Sequence, residues 1–154
     1  MKRIIHIAFL CVAFAALTFT AKAAEPVVKT GIEVLRDRNF EILKGKRVGL
    51  VTNPSGVDRF LNSTVDILFN APDVELVALY GPEHGVRGDV YAGGHVTDTK
   101  DEATGLPVYS IYGATRKPTP QMLEGIDVMV YDIQDVGVRS YTYFLKYFND
   151  ILLT

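Results

Sequence analysis

Three stretches of the chain, Arg47-Val48-Gly49-Leu50-Val51-Thr52, Val74-Glu75-Leu76-Val77-Ala78-Leu79-Tyr80 and Val128-Met129-Val130-Tyr131-Asp132, are near-continuous apolar runs rather than apolar–polar alternations. A strand with one wet face alternates; a strand that does not must be buried on both faces. The arrangement that buries both is a parallel sheet covered by helices on either side. This feature constrains the fold more than any other.

The segments between the runs fit that layout. Asn53-Pro54-Ser55-Gly56 closes the first run as a turn. Ser63-Thr64-Val65-Asp66 opens like a capping box, and Val65, Leu68 and Phe69 follow at helical spacing before Pro72, which predicts a helix. Gly31-Ile32-Glu33-Val34-Leu35 predicts a short helix leading to Gly45. A long loop runs to Gly105, after which Pro107-Val108-Tyr109-Ser110-Ile111 predicts a weaker strand. Thr119-Pro120 supplies a cap and a first-turn proline for a short helix stopped at Gly125. Tyr141, Phe144, Leu145, Phe148 and Leu152 mark one face of a final helix. The predicted fold class is therefore α/β, a Rossmann-like, mostly parallel sheet with helices on both faces. No strand follows the last helix, so residues 24–154 are expected to form one apparently truncated domain.

Residues 1–23 have a different character. Lys2 and Arg3 precede an apolar run from Ile4 to Thr20, and Ala21-Lys22-Ala23 follows, which is the charged, apolar and small-residue order of a cleaved secretory signal. The expected destination is the periplasm or the extracellular space. Cleavage after Ala23 leaves roughly 130 of the 154 residues, enough for a single core. It removes the one cysteine, Cys11, so packing rather than disulfides must stabilise the mature chain. It also takes three of the 16 Lys and Arg and none of the 18 Asp and Glu, leaving a net charge of about −5. An acidic chain of this kind offers no electrostatic footprint for nucleic acid or for an anionic membrane. Neither is an expected partner once the signal has gone.

In open parallel sheets, ligands bind beyond the carboxyl ends of the strands, where loops and helix N-termini converge. Asn53 and Ser55 follow the first strand there; Glu83, His84, Arg87 and Asp89 follow the second; Asp132, Gln134, Asp135 and Arg139 follow the fourth. A purely structural sheet end needs one or two caps, whereas this edge gathers several carboxylates, a histidine and two arginines. The densest segment is Gly81-Pro82-Glu83-His84-Gly85-Val86-Arg87-Gly88-Asp89, in which glycines let the backbone fold tightly around a Glu-His pair. The plainer readings are a turn for this segment, a helix cap for Asp132 and an ion-pair partner for Arg139.

Other chemistries lack their patterns. A metal site drawn from Glu83, His84, Asp89 and His95 has no recognised ligand spacing, and no metal or cofactor is expected. The first turn has neither a dinucleotide fingerprint nor a P-loop lysine, and no Gly-x-Ser-x-Gly elbow occurs. Paired carboxylates remain. They suit glycoside hydrolysis, in which one acid protonates the leaving oxygen and another group assists attack at the anomeric carbon.

Gly81-Pro82-Glu83-His84-Gly85, Gly105-Leu106-Pro107-Val108-Tyr109-Ser110-Ile111-Tyr112-Gly113, Arg116-Lys117-Pro118-Thr119-Pro120 and Tyr131-Asp132-Ile133-Gln134-Asp135-Val136-Gly137 strongly resemble the exo-β-N-acetylmuramidase family of the NamZ type, formerly a domain of unknown function. The resemblance extends over roughly residues 31 to 150. It implies an exported hydrolase that removes N-acetylmuramic acid from the non-reducing ends of peptidoglycan fragments, so that muramic-acid saccharides are the expected partners. It also implies a Rossmann-like domain followed by a smaller C-terminal domain, with the cleft between them. Carried over by the resemblance, Glu83 is the candidate general acid, and His84, Asp132 and Asp135 are further catalytic candidates. Asn53, Arg87, Gln134 and Arg139 are candidate substrate-binding residues. The second catalytic group stays open, the sugar's own N-acetyl group included. An arginine among Arg87, Arg116 and Arg139 would suit the lactyl carboxylate, since a guanidinium binds carboxylates in bidentate fashion. The chain departs from the family in lacking its next strand, an Asp-Arg-Pro-Asn-Pro-like segment and the C-terminal domain. The alternatives to an enzyme are a non-catalytic cell-wall sugar-binding module and an inactive gene fragment.

Overall fold

The computed structural model describes residues 27–91, 94, 97–113 and 116–134. The expected signal segment and the expected final helix over Tyr141–Leu152 lie outside them. The described elements are helix α1 (Gly31–Asp37), a 3-10 turn (Glu41–Leu43), strand β1 (Arg47–Thr52), helix α2 (Thr64–Phe69) and strands β2 (Glu75–Gly81), β3 (Thr99–Lys100), β4 (Pro107–Ser110) and β5 (Val128–Asp132). The strands form one sheet in the order β3-β4-β2-β1-β5. β1 pairs in parallel with β2 and β5, and β2 with β4. The chain thus grows outward from β1 through β2 to β4, then returns to lay β5 on the other side of β1. That reversal is a topological switch point of the kind that opens a crevice at the carboxyl edge.

Two-sided burial accounts for the apolar runs. Val48 and Leu50 of β1, with Leu76 and Leu79 of β2, pack beneath α1, the 3-10 turn and α2 through Ile32, Leu43, Val65 and Leu68. Val51, Ala78 and Tyr80 face the opposite side, against Met122, Leu123, Ile126 and Met129. Gly49 is required there: a Cβ on it would stand 2.6 Å from Met129 Sδ and 2.9 Å from Tyr80 Cε2. The fully buried Tyr80 hydroxyl donates to the Met122 carbonyl at 2.6 Å, and burial pushes its pKa up to about 12.

The helices are short and held by side chains at their N-termini. Ser63 accepts from the Val65 amide at the start of α2, as the capping pattern predicts. At α1, Glu33 reaches back to the Thr30 amide at 2.8 Å. Glu33 also pairs with Arg59, while Arg36 donates to the buried Asp58 at 3.1 Å, so α1 is tied to the loop between β1 and α2 at two points.

Three expectations are corrected. The segment after Thr119-Pro120 is a set of hydrogen-bonded turns rather than a helix. Thr119 Oγ1 does accept from the Met122 amide at 3.3 Å, and Gly125 does stop the segment with φ +72°. Too few residues lie between Pro120 and Gly125 to repay helix nucleation. The long loop before Gly105 contains the two-residue strand β3, antiparallel to β4, which makes the sheet mixed at that edge. The weaker strand ends at Ser110, one residue earlier than expected, although the Ile111 amide still donates to the Gly81 carbonyl at 3.0 Å.

Candidate active site

Register fixes the level of the site. Thr52 pairs with Asp132, Val51 with Tyr80 and Gly81 with Ser110, so four parallel strands stop together at one edge. Glu83 and Asp132 therefore share that edge, with β1 between their strands. Two interstrand spacings, about 10 Å, separate β2 from β5.

On the β2 side the chain turns sharply. Gly85 donates its amide to the Pro82 carbonyl at 3.0 Å, and both His84 (φ +71°) and Gly85 (φ +75°) adopt left-handed backbone. For a histidine that conformation costs about 1 kcal/mol. It is offset by a pair of contacts to Val90: the Val90 amide donates to the His84 carbonyl at 3.3 Å, and His84 Nδ1 lies 3.0 Å from the Val90 carbonyl. A carbonyl only accepts, so Nδ1 is the donor in this contact. The pKa of Tyr112 is raised, chiefly by its interaction with the half-buried Glu83. Arg116, exposed, opposes that rise by its charge.

Arg87 anchors the same loop. Its Nε and Nη2 donate to the buried carboxylate of Asp101 at 2.8 and 2.9 Å, and its Nη1 and Nη2 donate to Asp66 of α2 at 3.0 and 2.8 Å. Four guanidinium N–H groups are thereby engaged in two bidentate pairs, which binds the loop to α2 and to the segment before β4. The Arg87 guanidinium holds the Asp101 carboxyl down at about 2. A cleft of about 600 Å³, lined by Val86, Arg87, Asp89, Lys100 and Asp101, lies along this anchor.

On the β1 and β5 side the polar groups bind one another. The Gln134 amide donates to Ser55 Oγ at 2.9 Å, and Ser55 Oγ donates to Asn53 Oδ1 at 2.6 Å. Thr52 Oγ1 donates to the Asp132 carbonyl at 2.8 Å, and the Asp132 carboxylate accepts from the buried Thr64 hydroxyl at the start of α2. Gly56 permits this closeness, because a Cβ on it would fall 2.2 Å from Thr52 Oγ1 and 2.7 Å from the Asp132 carbonyl oxygen. Gly88 lets the β2 loop close on the same region, its Cβ position being 2.7 Å from Pro54 Cγ.

The structure thus brings Asn53, Glu83, His84, Arg87, Asp132 and Gln134 to one edge, while Asp135 and Arg139 lie outside the described residues. His95 does too. Among the described residues, no group of three or more His, Asp, Glu or Cys side chains is arranged to hold a metal ion. Reasoning from sequence passed over Tyr112 as a site residue. Its signal is positional, since it stands two residues beyond Ser110 as Glu83 stands two beyond Gly81.

Comparison with known proteins now decides the family. The family model described as exo-β-N-acetylmuramidase NamZ, N-terminal, matches residues 48–149. The chain belongs to the NamZ family. It is 58% identical over 121 residues to the peptidoglycan β-N-acetylmuramidase NamZ of Bacillus subtilis (strain 168), covering 79% of this chain and 29% of that protein. Two crystal structures of DUF1343 family proteins from Bacteroides fragilis NCTC 9343 are also similar. One has a TM-score of 0.70 at 64% identity over 79% of this chain and 30% of its own, and the other 0.57 at 30% identity over 78% and 29%. The chain spans less than a third of the length of these NamZ-family relatives.

Proposed function

We propose that this chain is the N-terminal portion of an exported, exo-acting β-N-acetylmuramidase that releases N-acetylmuramic acid from the non-reducing ends of peptidoglycan fragments. Family membership supports the reaction class, and the charged, apolar and small-residue order of residues 1–23 supports export. The observation that carries the chemistry is Glu83, half-buried at the carboxyl edge of β2 and followed by a conformationally fixed His84.

In this reading Glu83 is the general acid. It gives its proton to the glycosidic oxygen as the bond from that oxygen to the anomeric carbon breaks; water then supplies the new hydroxyl at that carbon, and the proton it gives up restores the Glu83 carboxyl for the next turnover. Asp132 has a supporting part, because its carboxylate is bound by Thr64. Arg87 is the loop's anchor. Arg116, exposed and within electrostatic reach of Tyr112, is the described arginine that best fits the lactyl carboxylate of muramic acid.

The test is release of muramic acid by the full-length protein and its Glu83→Gln variant. Glutamine keeps the shape of the side chain but has no carboxyl proton to donate, so kcat should fall by about 10² to 10⁴-fold. Turnover by the variant at the parent rate would remove Glu83 from the acid role.

A further inference from the structure

We infer that Phe60 and Leu61 form a distal sugar subsite, an apolar platform on which a pyranose ring of the peptidoglycan glycan chain lies while the end of that chain is cleaved. The inference rests on the proposed muramidase reading and adds a site for the part of the substrate beyond the reacting bond.

The platform belongs to the loop between β1 and α2, which leaves the sheet at the carboxyl edge. Residues 57–63 form a projecting turn with a closed neck: Val57 bridges to Ser63, and the Thr64 amide donates to the Gly56 carbonyl at 2.9 Å. The neck stands on groups already placed at that edge. Gly56 lies against the Asp132 carbonyl, Pro54 meets Gly88 of the loop that contains Glu83, and Arg87 of the same loop pairs with Asp66 in the first turn of α2.

Inside the turn one residue does the holding. The buried Asp58 carboxylate accepts from the Phe60 and Asn62 amides, each at 2.9 Å, from the Asn62 side chain at 3.0 Å and from Arg36 at 3.1 Å. The Leu61 amide donates to the Asp58 carbonyl, and the Asp58 amide to the Asn62 carbonyl, both at 3.0 Å. The Phe60 and Leu61 side chains stand outside this frame, 71% and 79% exposed. Leu61 is also left-handed, at φ +64°, a conformation that suits glycine or asparagine and disfavours a branched side chain. A turn that served folding alone would gain from asparagine there. Two large apolar side chains, displayed on a strained but tightly hydrogen-bonded turn, mark a contact made outside the fold.

The surroundings select a sugar for that contact. Arg59 is held by the buried Glu33, and its guanidinium carbon lies 5.9 Å from the Phe60 ring centroid, so the ring is backed by a fixed cation. A pyranose has an apolar face of C–H groups that stacks on an aromatic ring, and the carboxylate of a muramyl sugar is drawn to an arginine alongside. The rigidity of the turn means that little ordering entropy is lost on binding.

The test uses the full-length protein and two substrates: an aryl muramide, which has no sugar beyond the reacting bond, and a long glycan fragment with N-acetylmuramic acid at its non-reducing end. Phe60→Ala should lower the ratio of kcat/KM for the glycan to kcat/KM for the aryl muramide by about 5 to 20-fold, mostly through KM, and Phe60→Trp should keep that ratio within about threefold. Leu61→Asn separates binding from folding. It should lower the ratio by about threefold while the urea midpoint stays level or rises, because asparagine tolerates the left-handed backbone. An unchanged ratio in Phe60→Ala would overturn the proposal. So would a lowered urea midpoint in both variants, which would place the pair in packing within the longer protein, or a changed subunit number, which would make the turn a contact between copies. Calorimetric binding of the glycan to Glu83→Gln, with and without Phe60→Ala, needs no turnover and keeps the two readings separable. About tenfold weaker binding without the ring supports the platform even where the aryl muramide is not hydrolysed, in which case the muramidase reading alone fails. Equal binding removes the platform whether or not hydrolysis occurs.

Discussion

The two halves of the carboxyl edge use polar residues in opposite ways. Beyond β1 and β5, Asn53, Ser55, Thr52, Asp132 and the Gln134 amide bind one another, and Gly56 lets the two strand ends close together. Beyond β2 and β4, the backbone is held in left-handed conformations, and Glu83 and His84 remain partly open to solvent. Strain retained at one place and satisfied hydrogen bonds at its neighbour is the pattern expected where a rigid latch supports a working loop. The same residue type, an aspartate or glutamate at a strand end, thus serves structure in one half and chemistry in the other.

The sharpest way to break that contrast is to neutralise one carboxylate in each half of the full-length protein. Against the 10² to 10⁴-fold loss expected for Glu83→Gln, Asp132→Asn should keep kcat within about tenfold, because its amide oxygen still accepts from Thr64 and a neutral hydrogen bond contributes about 1 kcal/mol. A loss on Asp132→Asn of 10² or more, with an unchanged melting temperature, would move Asp132 into the chemistry.

Glycine substitutions sharpen the comparison at a smaller scale. Gly56→Ala places a methyl into the Thr52 hydroxyl and the Asp132 carbonyl, and should destabilise the fold by about 1 to 3 kcal/mol, read as a lowered urea midpoint. Gly85→Ala meets a left-handed φ of +75° and the exposed Asp89 side chain, which can move aside. Its stability cost should be nearer about 1 kcal/mol, with the larger effect falling on turnover. A reversal of that order would mean that the latch lies on the β2 side.

Acid is the mildest probe. Asp58 and Asp101 have carboxyls held down at about 2, the first chiefly by the Asn62 side chain and the second chiefly by Arg87. A carboxyl depressed in the fold stabilises it above its ordinary range and loses that contribution as it protonates. Urea midpoints should therefore be level above about pH 4 and decline between about pH 4 and 2. Asp101→Asn should flatten part of that decline, and an unaltered slope would show that the Arg87 anchor adds no pH-dependent stability.

The sheet was legible from sequence because its cause is local: an apolar run without alternation states its own burial. β3 was not, since Thr99-Lys100 has no pattern and exists only by pairing with Pro107 and Val108. The turns after Pro120 read as a helix because a capping signal was present, but the length needed to propagate one was not. At the site, Glu83 and His84 stood out by residue type between glycines. Tyr112 did not, because its link to Glu83 depends on the register between two strands. Arg87 has charges that suggest a ligand contact, and only the fold reveals Asp66 and Asp101, 21 and 14 residues away, as its partners.

The bond from Thr52 to the Asp132 carbonyl joins residues 80 positions apart, and that distance orders events in time. As the chain emerges N-terminus first, β1, β2 and β4 can pair before β5 has been made. Closing the longer loop costs about 1 kcal/mol more than closing the one between β1 and β2. The half of the edge that contains Glu83 can therefore assemble early, while one flank of β1 waits uncovered for its last neighbour. During synthesis that flank is the open template on which a mispaired strand would dock, and the arrival of Val128–Asp132 is the step that closes it.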